Sequence, residues 1–204
     1  IKWSSANRKY FKELDAYVYV DSAKSDSIGI GHGLTIAQLS EVSRWPDKRA
    51  RALFAGISQT VPMGGFITVE STPRGRIGLF YEMWNAAKKG DLAFKTFFYP
   101  WWWDRNYQVA EVKEHIADEG MEACARILNM PRDKFMAQER WLMENYKLTP
   151  AQIAFRRLKI KELRELFFQE YPESEIDCWL SNEMGVIDGI SLRPYYQRAQ
   201  EGIN

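Results

Sequence analysis

The stretch Ile36-Ala37-Gln38-Leu39-Ser40-Glu41 decides how the rest of the chain is read. A short, β-prone, mostly apolar run opens onto a hydroxyl and a carboxylate, the composition of a strand whose carboxyl end reaches solvent. Phe66-Ile67-Thr68-Val69-Glu70-Ser71-Thr72-Pro73-Arg74-Gly75 has the same design. There an apolar strand runs into two hydroxyls, and Pro73 and Gly75 set a turn. Between them a helical pattern starts after Pro46-Asp47 and continues to about Ser58, with Pro46 suited to a first helical turn. Strand, helix, strand is the building unit of a parallel sheet, and ligands of such sheets gather at the carboxyl ends of the strands. Glu41, Ser71 and Thr72 are therefore expected side by side along one edge, with Phe66–Val69 as a central strand.

Outward from this unit, Tyr17-Val18-Tyr19-Val20 and Phe94-Lys95-Thr96-Phe97-Phe98-Tyr99 read as further strands. A helix is expected over Gly78–Lys89, with Leu79, Met83 and Ala86 on one face and Gly90 as its stop. After Trp103 the pattern changes to helices over Gln108–Ile127, Arg132–Tyr146 and Pro150–Tyr171, the last with Thr149 as its cap and Pro150 at its first position. The chain thus divides into an α/β core with a mostly parallel sheet, residues 1–104, and a helical annex, residues 105–204.

Composition narrows the function classes. The 204 residues are 46% hydrophobic and 27% charged, as in an ordinary globular protein, and a net charge of +1 provides no global basic field. Contact with nucleic acid would have to come from local patches. Two cysteines, Cys124 and Cys178, exclude a disulfide scaffold or a tetra-cysteine zinc site and suit a reducing cytoplasm. With His32 and His115 they are too scattered to hold a metal, and Cys124 reads as a core residue. No apolar run approaches the roughly 20 residues of a membrane helix. The chain opens on Ile1 without a leader pattern, which points to a piece of a longer protein.

Three local signals read as structural. Gly29-Ile30-Gly31-His32-Gly33 lacks the helix that a dinucleotide loop needs after it. In Trp101-Trp102-Trp103, alternate rings are expected to pack under the annex while Trp102 lines a surface. The basic run Arg156-Arg157-Leu158-Lys159-Ile160-Lys161 is followed by Glu162 and Glu165, and reads as a solvated helical face.

An acid at a strand end can activate a water, and hydroxyls on the neighbouring strand can sense a phosphate. Leu39-Ser40-Glu41 with Trp45-Pro46, then Glu70-Ser71-Thr72-Pro73-Arg74-Gly75, Phe80-Tyr81 and Pro100-Trp101-Trp102 follow in order. Leu148-Thr149-Pro150-Ala151-Gln152-Ile153 and Phe168-Gln169-Glu170-Tyr171-Pro172 complete the set. Across roughly residues 30–180 this order resembles the large terminase subunit, the DNA-packaging motor ATPase of tailed phages and prophages.

The resemblance implies an incomplete P-loop-type ATPase core followed by a lid and a linker leading to a nuclease domain. Glu41 would be the catalytic carboxylate of the Walker B strand. Ser40 stands where the family usually has Asp, so Mg²⁺ would sit near Ser40 and Glu41, with Glu41 as an indirect ligand. Ser71 and Thr72 would form the coupling motif. His32 occupies the place of a candidate arginine finger, for which Arg44, Arg74 or Arg76 could substitute. The implied cofactors are ATP and Mg²⁺, and the implied partners are double-stranded DNA, a portal protein and a small terminase subunit. The intact motor would be a homo-oligomeric ring in the host bacterial cytoplasm, away from membranes.

The sequence contains no Gly-x-x-x-x-Gly-Lys-Ser/Thr, and only Asp188 falls where a nuclease would bring an aspartate cluster. The chain alone is therefore expected to be inactive. Two alternatives stay open: a helicase-like ATPase, or a catalytically silent terminase remnant that binds DNA or protein.

Overall fold

The computed structural model describes residues 3–4, 7–24, 33–110 and 117–179 of a mixed α/β protein with small sheets, one of them a parallel pair. The chain forms two compact units, Ile1–Ser71 with Gly78–Phe80, and Thr72–Ile77 with Tyr81–Asn204.

In the first unit, β1 (Trp3–Ser4), β2 (Arg8–Phe11) and β3 (Ala16–Tyr19) form an antiparallel sheet in that order. The Tyr17–Val20 run was expected in a mostly parallel sheet, and the connection explains the difference. A tight turn at Lys12–Leu14, with Asp15 at φ 44°, reverses the chain, whereas a parallel neighbour needs a crossover of a dozen or more residues. Across the pair, the Arg8 guanidinium lies 4.1 Å from the Tyr17 ring, and the rings of Tyr10 and Tyr17 are 4.7 Å apart.

The deciding βαβ unit forms as read. Strands β4 (Ile36–Leu39) and β5 (Phe66–Val69) pair in parallel, Ile36 opposite Phe66 and Leu39 opposite Val69, with α1 (Asp47–Thr60) between them in the chain. Alternation places Ala37 and Leu39 in a buried cluster with Val42 and Ile57, against which Phe54, Ile67 and Val69 pack. The other face carries Ile36 and Phe66, which are 66% and 61% exposed. Among the described residues β5 pairs with β4 alone, where its composition suggests a strand with neighbours on both sides. The chain enters β5 through Gly64, at φ 90°, and Gly65, where a Cβ would lie 2.9 Å from the Thr35 carbonyl oxygen. A side chain at Gly65 would push the two strands apart at their start.

Helix α2 (Gly78–Lys89) has the expected bounds, and Gly90 at φ 82° closes it by donating to the carbonyls of Ala86 and Ala87. In the second unit Phe94–Tyr99 has no regular secondary structure and joins no sheet among the described residues, which corrects its reading as a strand. Trp101 and Trp102 are both buried and Trp103 is 64% exposed, another correction. These three residues form a helical turn, which spreads consecutive rings around an axis instead of alternating them between two faces.

The annex is helical, with α3 (Asp118–Ile127), α4 (Arg132–Tyr146), α5 (Pro150–Leu163) and α6 (Phe167–Glu170). Gln108–Ala110 are not helical, and residues 111–116 of the expected first helix, His115 included, lie outside the described residues. Thr149 and Gln152 form a reciprocal capping box at the start of α5. The single long helix expected after Pro150 is broken at Arg164, which takes φ 51° and leads through a tight turn into α6. The core gathers Trp101, Trp102, Cys124, Phe135, Ile160 and Phe167. No helix among the described residues is long and apolar enough to cross a membrane.

The largest departure from the sequence reading lies on α5. Arg156 is fully buried and Arg157 nearly so, where a solvated face was expected. Arg156 makes a two-pronged contact with Glu173 at 2.6 and 3.1 Å, and Arg157 does the same with Glu139 of α4 at 2.9 and 2.5 Å. Burial works against the charge on Arg156, but the charge and hydrogen bonds of Glu173 outweigh it, and the guanidinium is held above its ordinary pKa. Two planar forks, each paired with a carboxylate, make burial of these charges tolerable, although Arg156 Nη1 is left without a hydrogen bond.

Candidate functional site at the strand ends

Beyond Leu39 and Val69 the ladder continues by two more bonds. The Glu70 amide donates to the Leu39 carbonyl at 2.9 Å, and the Val42 amide donates to the Glu70 carbonyl at 3.3 Å. Val42 is buried in the cluster beneath the sheet, while Glu41 just before it is exposed. To make that change within one residue, Glu41 adopts a left-handed conformation at φ 52°, ψ 43° and leads into a tight turn at Val42–Arg44. A side chain held there costs about 1–2 kcal/mol. Strain of this kind at a solvent-facing carboxylate motivates a functional hypothesis. The Trp45 indole N–H donates to the Ser40 carbonyl at 3.0 Å, holding the turn from its other side.

Six polar side chains converge on this edge. Ser40 Oγ donates to the Glu70 carboxylate in a very short contact. Ser71 Oγ accepts from the Ser43 amide at 3.1 Å and lies 2.6 Å from Ser43 Oγ. The same Ser71 hydroxyl reaches Glu41 Oε2 at 3.5 Å. Arg44 Nε lies 3.3 Å from that carboxylate oxygen, an exposed pair that contributes little to stability. A contact of 3.5 Å is long for a hydroxyl donor.

Compared with protein-family models, curated proteins and solved structures, the chain matches none.

Of the residues singled out in sequence, Ser40, Glu41, Arg44 and Ser71 come together here. Thr72 and Arg74, with Arg76, fall in the second unit, where Thr72 is half-buried and both arginines are exposed. His32 lies outside the described residues, as do residues 29–31 of the glycine-rich loop and Asp188. Two members of the edge were not singled out. Ser43 is the residue two beyond the acid, and Glu70 is the last residue before the hydroxyl pair. Position was a signal for Glu70, one residue past the end of β5, whereas Ser43, four residues past the end of β4, had none.

The donor set consists of two carboxylates and three hydroxyls, all hard oxygen ligands. That chemistry fits Mg²⁺, which commonly takes one or two carboxylates and completes its shell with water and phosphate oxygens. Among the described residues no group of three or more His, Cys, Asp or Glu is arranged to hold a metal by itself. The edge can therefore accept a proton from water and contribute to a cation site that a substrate would complete.

Proposed function

We propose that the chain is part of a large-terminase-type motor, in which ATP hydrolysis drives double-stranded DNA into a procapsid. One observation carries the reading: a strained carboxylate, Glu41, and a hydroxyl, Ser71, meet across the ends of adjacent parallel strands. In this reading Glu41 takes the proton of the attacking water, and Ser71 and Thr72 pass the state of the bound nucleotide to the DNA-gripping parts. Glu41 and Glu70, with Ser40, would hold Mg²⁺ together with the nucleotide, and bound Mg²⁺ would neutralise charge on the transferred phosphoryl group. Arg44, already beside Glu41, would take the finger role. The sequence contains no phosphate-binding loop, so a complete site needs one from another part of the motor. Partners in this reading are a portal protein, a small terminase subunit and further copies in a ring in the host bacterial cytoplasm.

The test is DNA-dependent ATP hydrolysis by a polypeptide that carries a phosphate loop together with this chain. Turnover stimulated by duplex DNA is expected. Turnover stimulated only by single strands would favour a helicase-like ATPase, and no nucleotide binding at all would favour a silent binding module.

A further inference from the structure

Ser43 has no assigned part in that reaction, yet two of its atoms converge on one hydroxyl. Its amide donates to Ser71 Oγ at 3.1 Å, and its own Oγ lies 2.6 Å from the same atom. The distance leaves the direction of the hydroxyl–hydroxyl bond open. The amide bond has only one direction: the Ser43 N–H donates, and so occupies an acceptor site on Ser71 Oγ. When Ser71 gives its proton to Glu41 Oε2, 3.5 Å away, the Ser43 hydroxyl is placed to donate to Ser71 Oγ beside its own amide.

Both ends of this arrangement are held by the backbone. Ser43 sits in the turn anchored by buried Val42, whose amide binds the Glu70 carbonyl. Ser71 follows Glu70, whose amide binds the Leu39 carbonyl. A displacement of Ser71 therefore reaches the Glu41 turn through Ser43 in a single side-chain step.

We propose that Ser43 is a positioning residue, which orients the Ser71 hydroxyl toward Glu41 and so ties the coupling strand to the acid strand. The proposal rests on the reading of Glu41 as the acid that activates water, and it adds a residue to which that reading gives no role. Ser43 does not touch the reacting atoms; it acts through Ser71.

The test uses the chain itself and NMR. In Ser71→Ala the Ser43 amide loses its acceptor and should exchange with solvent about 10-fold faster, while Ser71→Thr, which keeps the hydroxyl, should exchange at about the wild-type rate. In Ser43→Ala the side-chain carboxyl ¹³C signal of Glu41 should move in the same direction as in Ser71→Ala, and Ser43→Thr should restore it. Amide dispersion elsewhere shows that each variant is folded, and the threonine variants keep the test decisive should an alanine variant unfold. Unchanged Ser43 exchange in folded Ser71→Ala overturns the proposal. So does a Glu41 signal that stays put in both alanine variants, or one that Ser43→Thr fails to restore. These measurements need no turnover, so they stand or fall separately from the ATPase reading, which Glu41→Gln kinetics decides.

Discussion

Glu173→Gln removes one charge from the buried ion network of Arg156, Arg157, Glu139 and Glu173. Arg156 keeps its charge, since a guanidinium cannot be neutralised at any accessible pH. Its Nη1 has no hydrogen-bond partner and lies 3.8 Å from Glu139 Oε1, a carboxylate already engaged by Arg157. The substitution therefore leaves a buried cation with no dedicated counter-charge, a change that typically costs about 3–5 kcal/mol. Glutamine retains one acceptor oxygen, which places the expected loss near 3 kcal/mol, or roughly 6–12 °C in Tm for a chain of this size. Trp101 is a suitable reporter, because its indole N–H points at Glu173 Oε1 from 3.5 Å. Urea unfolding followed by tryptophan fluorescence, with NMR to follow the second unit separately, measures the effect. The double variant Arg156→Met/Glu173→Met should be far milder, within about 2 kcal/mol of wild type, because no unpaired charge remains. A loss below about 1 kcal/mol in Glu173→Gln would show that the pair behaves as an exposed one, which contributes no more than that.

Other outcomes follow from the same geometry. Glu41→Gly should leave the chain as stable or up to about 1 kcal/mol more stable by thermal unfolding, because glycine adopts the left-handed conformation without strain; a clear loss of stability would show that Glu41 is not strained. Cys124 and Cys178 should resist thiol reagents from pH 7 to pH 9 in the folded chain and react fully in denaturant. Burial pushes both thiols above their usual range, so raising the pH across that interval does not produce reactive thiolate; rapid labelling of the native chain would contradict their burial. In a motor that packages DNA, Thr72→Val should lower the base pairs moved per ATP while sparing DNA binding, and an unchanged ratio would reject a coupling role for Thr72.

The βαβ unit was legible because its signals are local. The apolar runs Ile36–Leu39 and Phe66–Val69, Pro46 before the helix, and Gly90 after α2 each act within a few residues of their own position. Parallel pairing then followed from the length of the crossover. The hidden features depend on partners distant in sequence. Nothing near Arg156 and Arg157 shows that Glu139 and Glu173 would meet them inside the fold, while the neighbouring Glu162 and Glu165 suggest a solvated face. Phe94–Tyr99 has strand composition, yet a strand exists only with a neighbour, and composition does not reveal one. At the site, Glu41 and Ser71 were readable as strand-end groups. Ser43 was not, because its role comes from a left-handed residue that turns the chain back across the edge.

In the proposed motor, Glu41 activates the water that attacks ATP. The most direct measurement is ATP turnover beside ATP affinity, for wild type and Glu41→Gln, in a polypeptide joining this chain to a phosphate loop. Turnover should fall about 10²–10⁴-fold with ATP binding nearly unchanged. Equal turnover in the two proteins would contradict that role and make Glu41 an ordinary surface acid.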